Sequence, residues 1–289
     1  MSYYYSIGGI GYEFAVDREL YEYSPYDVFR VDRDVFLRAD EKHHFRFYEE
    51  NYVLPEKKTL IFSNDSTQIY ECDGSFIHVN NRFDEVNYDC VVVSPKNESG
   101  GSFYFTNGCG DKLKVTTELL RCCDFVSSLL FYNCFILHCA YVIHDGKAIL
   151  FSAPSEGGKS TQAALWEKYR GAEIINGDRA ILKNVKGEWY VYSLPFCGSS
   201  GICKNKVAPL ELIAFVNKAD ENSVEALNIP QKLQLILPQI TFESYKHSDF
   251  SKVLDMTEAL ISKTRMVKLN CTVSEQATAV LEREVLSRE

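Results

Sequence analysis

Basic residues are in short supply: 31 Lys and Arg against 40 Asp and Glu give a formal net charge of −9 over 289 residues. That balance argues against gripping nucleic acid or an anionic membrane through bulk electrostatics. Long apolar runs are missing as well. The longest, residues 131–143, is broken by Asn133 and His138 and is too short to cross a bilayer. The start, Met1-Ser2-Tyr3-Tyr4-Tyr5, has neither a basic segment nor an apolar core, so no signal peptide is expected. Among ten cysteines there is no Cys-x-x-Cys: Cys122 and Cys123 are adjacent, Cys134 and Cys139 five apart, Cys197 and Cys203 six apart. Paired thiolates for zinc are therefore not expected. Reduced, buried cysteines in a cytoplasmic protein are the reading, and the Asn-x-Ser/Thr triplets at Asn64, Asn97 and Asn270 then carry no glycan. Internal repeats and low-complexity linkers are absent. Gly8-Gly9-Ile10-Gly11 is no dinucleotide fingerprint, because strand-like residues 12–16 follow where a helix is required.

What is present falls into two regions, 1–115 and 116–289, which set an α/β class, α+β overall. The first holds 12 basic and 20 acidic side chains, net −8, and 22 of the 38 aromatics. Its short aromatic and β-branched segments (45–47, 59–62, 69–70, 76–79, 90–93, 103–105) alternate with turn signals such as Asp73-Gly74, Asn80-Asn81, Pro95-Lys96-Asn97 and Gly100-Gly101. That pattern predicts a half-buried antiparallel sheet. Its acidity reads either as solvated surface or as a face for a basic partner. The second region is nearly neutral, with 19 basic and 20 acidic residues. Leu119, Cys123, Val126 and Leu130 predict one helix through about Tyr132. A buried strand over 135–143, a tight Asp145-Gly146 turn and a strand over 148–151 follow.

That strand runs into Ala153-Pro154-Ser155-Glu156-Gly157-Gly158-Lys159-Ser160-Thr161, which matches the Walker A pattern G-x-x-x-x-G-K-[ST] except for its first glycine. A helix is predicted from Ser160 to Arg170, capped by Gly171. Strand, glycine loop and helix N-terminus form the arrangement in which backbone N–H groups cradle a phosphate. A Gly-rich connecting turn is the plainer alternative. In the functional reading Lys159 adds a positive charge on the phosphates of ATP or GTP, and the Ser160 hydroxyl ligates Mg²⁺. Glu156 weakens the site unless its carboxylate points to solvent. Nineteen residues after Lys159, the string Asn176-Gly177-Asp178-Arg179 ends a predicted short strand. Asp178 is a candidate for the metal or for the proton of a substrate hydroxyl; a plain turn is the other reading.

From about His138 to Gly201 the chain resembles the kinase domain of HPr kinase/phosphorylase and its PEP-carboxykinase-like relatives. The likeness rests on His138, the loop 153–161, Gly171, Asp178-Arg179 and the run Pro195-Phe196-Cys197-Gly198-Ser199-Ser200-Gly201. It is greatest to bacterial HPr-kinase-like proteins associated with peptide modification, and residues 1–115 do not resemble the N-terminal domain of the bifunctional enzyme. The resemblance implies a P-loop domain of that type and serine-directed phosphoryl transfer, with Lys159, Asp178 and His138 catalytic and Arg179 beside the nucleotide; a buried, hydrogen-bonded strand histidine is the other reading of His138. Where the family has two adjacent aspartates, the first position falls on Gly177 and the second on Asp178, so a separate general base is missing and the reverse phosphorylase activity is not expected.

Two functions stay open: a Mg-ATP-dependent kinase acting on a hydroxyl of a peptide or small protein, and a nucleotide-binding module that regulates or escorts a peptide. A small-molecule kinase would share the same machinery. Gly198, Ser199 and Ser200 are candidates to hold the acceptor, with an ordinary loop as the alternative; Lys204 and Lys206 either steady a triphosphate or are simply solvated, and Arg265 is a candidate to supply a charge in trans. A peptide or small-protein partner, basic or neutral, and homo-oligomers fit this reading; nucleic acid and membrane do not.

Overall fold

In the computed structural model the described residues are 1–16, 19–20, 26–81, 89–96, 99–105, 116–123, 125–243 and 245–286. They form two compact units, Met1–Tyr132 and Asn133–Glu289. The change of character near 115 and the Asn97 triplet lie outside the described residues.

Aromatic and β-branched segments build the first unit. Its strands are β1 (Ser2–Ile7), β2 (Ile10–Ala15), β3 (Arg30–Val31), β4 (Lys42–Tyr48), β5 (Thr59–Ser63), β6 (Thr67–Cys72), β7 (Ser75–Asn80), β8 (Cys90–Pro95) and β9 (Gly101–Phe105), with helices α1 (Arg33–Arg38), α2 (Thr116–Cys122) and α3 (Phe125–Phe131). They order as β3-β1-β2-β4-β9-β8-β7-β6-β5. The sheet is mixed rather than antiparallel, because β2–β4 and β4–β9 pair in parallel. Those connections carry whole elements, α1 in one and β5 to β8 in the other, and a long crossover lets neighbours run the same way. Where the link is a tight turn, as at Asp73 and Gly74 (φ 42° and 79°), the pair is antiparallel. The aromatics are core: Tyr12, Phe14, Phe45 and Phe103 are buried, and Phe47 stacks on Phe103 at 4.7 Å.

The single helix expected through Tyr132 is two. Asn80 Nδ2 donates to the Cys122 carbonyl at 3.1 Å. In a continuing helix that carbonyl would accept from residue 126. Tyr132 then donates from its hydroxyl to the Lys42 carbonyl at 2.6 Å, which ties the segment after α2 to the first unit.

The second unit comprises β10 (Cys134–His144), β11 (Lys147–Ser152), β12 (Glu173–Asn176), β13 (Arg179–Val185), β14 (Glu188–Tyr192), β15 (Val207–Lys218), β16 (Ser223–Ala226), β17 (Ile240–Thr241) and β18 (Arg265–Cys271), with α4 (Lys159–Arg170), α5 (Ile229–Ile236), α6 (His247–Lys263) and α7 (Glu275–Leu286). The sheet runs β11-β10-β13-β14-β15-β18-β16, and a β11–β15 pairing closes a ring. Asp145 and Gly146 (φ 48° and 76°) make the tight turn between β10 and β11. β11, β15 and β18 are parallel neighbours, so their C-terminal ends lie on the side where open α/β sheets bind ligands. Trp166 of α4 is buried in the core with Phe151, Leu212, Leu269 and Leu281. Pro230 lies in the first turn of α5, behind a reciprocal cap of Asn228 and Gln231. The described residues are thus a mixed α/β structure with two large mixed sheets and seven helices. Among them, no helix is long and apolar enough to cross a membrane.

Candidate functional site

β11 delivers the chain to the glycine loop, and the loop's shape follows from its side chains. A Cβ on Gly157 would lie 2.6 Å from the Ala153 Cβ and 2.9 Å from the Pro154 oxygen. Only glycine lets the chain fold back there, and the Gly157 N–H uses the space to donate to that oxygen at 3.0 Å. Gly158 (φ 98°) makes the left-handed step into α4. Glu156 also stands at positive φ, 61°, and is exposed together with Pro154 and Ser155, so its carboxylate faces solvent.

Lys159 is 7% exposed, and its ammonium donates to the carbonyls of Ala153 and Pro154, both at 3.0 Å. Burial pulls its pKa below the usual lysine range, while the Asp178 charge opposes that shift. The Gln162 N–H is the first of α4 to bond back, to the Gly158 carbonyl at 3.0 Å. The amides of Lys159, Ser160 and Thr161 therefore have no intrahelical acceptor, and the positive end of the helix dipole lies there. Ser160 and Thr161 are exposed on this turn.

Asp178 is placed by pairing. β12 and β13 lie along the same β10 strand, with Asn176 opposite Tyr141 and Arg179 opposite His138. Gly177 and Asp178 fill the gap, pinned where the Cys139 N–H donates to the Asp178 carbonyl at 3.0 Å. The carboxylate meets His138 Nε2 at 3.6 Å and Arg179 Nε at 3.0 Å. The neighbouring His138 imidazole, aided by Arg179, holds its pKa below the usual aspartate value against the opposing effect of burial. On its other side His138 Nδ1 lies 3.2 Å from Gln239 Oε1. Pairing of Leu137 with Ile240 brings that buried glutamine alongside. Ser160 Oγ donates to the Gly177 carbonyl at 3.4 Å, joining the glycine loop to the acid turn.

The structure thus brings together the loop 153–161, His138, Asp178, Arg179, and also Gly198 and Ser200. Residues 198–200 form one 3₁₀ turn, with Gly198 at φ 55°. A Cβ on Gly198 would lie 2.9 Å from the Asp178 Cγ, and one on Gly177 only 2.4 Å from Ser200 Oγ. Ser199 is exposed on the same turn.

Other candidates are already engaged. Lys204 and Lys206 both bond Glu173, at 3.1 and 2.6 Å, so they neutralise a carboxylate instead of standing ready for a triphosphate. Arg265 pairs with Glu284. The sequence reading missed Asn176 and Gln239 as positioning groups. Asn176 had a signal: Asn two residues before Asp in a turn is an Asx-turn pattern, and its side chain accepts from the Asp178 and Arg179 N–H groups at 3.0 and 3.1 Å. Gln239 had none, being distant in sequence. Among the described residues, no three His, Cys, Asp or Glu side chains converge into a metal cluster.

No protein-family model and no curated protein matches the chain. Among solved structures, it is similar to that of the Hpr(Ser) kinase/phosphatase from Coxiella burnetii, at 12% identity and a TM-score of 0.29, over 53% of this chain and 97% of that one.

Proposed function

We propose that the second unit binds a Mg²⁺·nucleoside triphosphate, ATP or GTP, in an HPr-kinase-like P-loop site and transfers its γ-phosphoryl group to a hydroxyl of a peptide or small protein. The observation that carries this reading is Lys159. A buried ammonium held 3.0 Å from two loop carbonyls, at the head of a helix whose first amides lack intrahelical acceptors, suits an anion with several oxygens. Ser160 and Asp178 offer oxygen donors joined through Gly177. Such donors fit Mg²⁺, which commonly takes few protein ligands alongside substrate phosphates. When bound, the ion neutralises charge on the phosphates.

The chain's own residues then have separable roles. Lys159 exchanges carbonyls for phosphate oxygens. Asp178, kept ionised by His138 and Arg179, holds the ion or receives the acceptor hydroxyl proton. His138 fixes the carboxylate, and Gln239 fixes His138. Gly177 supplies no second carboxylate, which favours a forward kinase over a phosphorylase and motivates the second reading, a nucleotide-binding module without transfer. The excess acid of residues 1–115 suits recruitment of a basic or neutral acceptor.

The test is incubation with Mg·ATP and the peptides encoded beside the gene. The expected result is a gain of roughly 80 Da per hydroxyl modified, lost in Lys159→Ala and Asp178→Asn. Nucleotide-dependent thermal stabilisation without product would select the binding module. Absence of nucleotide binding would end both readings.

A further inference from the structure

The acid turn and the segment after β14 are separate in sequence, yet one side chain holds both. Asn176 is fully buried. Its Oδ1 accepts from the Asp178 and Arg179 N–H groups at 3.0 and 3.1 Å. Its Nδ2 faces the carbonyls of Leu194 at 3.2 Å and Phe196 at 3.0 Å, with Ser193 Oγ at 3.3 Å. A backbone bridge to Cys203 and the Lys204 N–H bond to the Ile175 carbonyl at 2.9 Å close the far end. Between these ties the chain passes over the acid turn with no side chain to spare: Gly198 lies against Asp178 and Gly177 against Ser200. The outer surface of the segment, Gly198 to Gly201, is exposed.

We infer that Asn176 is a positioning residue that locks the Asp178 turn to the 193–201 segment, and that the exposed Gly198-Ser199-Ser200-Gly201 ledge is the acceptor side of the site. The inference rests on the phosphoryl-transfer reading for the word acceptor, and on the hydrogen bonds alone for the lock. A buried amide is suited to this role because it presents an acceptor to one loop and donors to the other in fixed geometry. The nucleotide side is built from the loop 153–158 and the first turn of α4, and its tie to the acid turn, from Ser160 Oγ to the Gly177 carbonyl, does not pass through the 193–201 segment. Loosening the lock therefore separates the two halves of the reaction: nucleotide binding survives, and acceptor use does not.

Asn176→Asp is the discriminating substitution. It keeps an oxygen for the Asp178 and Arg179 N–H groups and sets a second oxygen against the Leu194 and Phe196 carbonyls, so that the segment is released and the turn is not. Gly198→Ala tests the same lock from the other side, because its Cβ presses on the Asp178 Cγ. Hydrogen exchange by mass spectrometry reads the lock directly, with amides of 195–203 exchanging at least about tenfold faster in each variant. Kinetics with Mg·ATP and a synthetic serine peptide flanked by lysines read its consequence. In Asn176→Asp the KM for ATP and the ATP-induced thermal shift stay at wild-type values, while kcat/KM for the peptide falls on the order of 100-fold. A merely destabilising change would lower both sides together. Unchanged exchange over 195–203 in both variants overturns the inference, as does equal loss of nucleotide and peptide terms. If exchange rises but the wild-type protein phosphorylates no peptide, the lock is supported and the kinase reading fails.

Discussion

Adding one carbon at Gly177 sets two measurable effects against each other. A Cβ there would lie 2.4 Å from Ser200 Oγ and 2.6 Å from Ser200 Cβ. Ser200 cannot swing clear without giving up its bond to the Cys197 carbonyl (2.7 Å) and the one it accepts from the Ile202 N–H (3.3 Å). Relieving such a contact costs about 1–3 kcal/mol, whether as overpacking or as lost hydrogen bonds. Against this, Gly177 is not among the residues at positive φ, so alanine restricts the unfolded chain at no backbone cost and gains about 0.4–1 kcal/mol. Gly177→Ala should therefore destabilise the second unit by up to about 2.6 kcal/mol, the difference of those two estimates. In a Ser200→Gly background the contact is gone and the sign should reverse, leaving a stabilisation of about 0.4–1 kcal/mol. The double-mutant coupling is then about 1–3 kcal/mol. The chain has two tryptophans, Trp166 and Trp189, and both are buried in the second unit. Urea unfolding followed by tryptophan fluorescence thus reports that unit alone. A Gly177→Ala that stabilises the wild-type background, or the same change in both backgrounds, would refute the reasoning.

Asp178 has a native pKa below its unfolded value. Its contribution to stability is therefore present above the unfolded value near 4 and is lost as pH falls through the lowered native one. Thermal melts of Asp178→Asn against wild type between about pH 2.5 and 6 should differ most at the upper end of that range and converge at the lower; parallel curves would count against the His138 pairing. Gly171 caps α4 at φ 65°, so Gly171→Ala should cost about 1–2 kcal/mol of left-handed strain, read by urea unfolding of the same tryptophans. The thiol of Cys203, pushed up to about 12 by burial, and that of Cys139, raised further by burial and by the Asp178 charge, should resist alkylation at pH 8 until the protein unfolds. Peptide mapping after iodoacetamide treatment would expose rapid labelling of either.

Where a feature is encoded within a few adjacent residues, the sequence reveals it. The loop 153–158, the Asp145-Gly146 and Asp73-Gly74 turns and the Gly171 cap all depend on local φ/ψ preferences and short hydrogen bonds. Where the cause is distant, the pattern is silent. The alternation of Phe45 and Phe47 marks β4 as a strand but is the same for parallel and antiparallel neighbours, so the mixed order of the first sheet was not legible. The break between α2 and α3 has its cause at Asn80, far from the helical period it interrupts. Gln239 reaches His138 only because β17 pairs with β10.

The lysines that looked available illustrate the same limit in electrostatic form. A sequence counts charges, whereas a site depends on which of them already have partners. Lys204 and Lys206 share Glu173, Arg265 has Glu284 and Arg179 has Asp178. Each of these four cations of the second unit already stands beside a carboxylate. What distinguishes the glycine loop is direction rather than net charge. In the proposed nucleotide site, selectivity for phosphate would rest on the fixed dipoles of the first α4 amides and on one ammonium with reduced solvation. Around the loop and the acid turn, Gly157, Gly177 and Gly198 each mark a place where a single added carbon would crowd a neighbour.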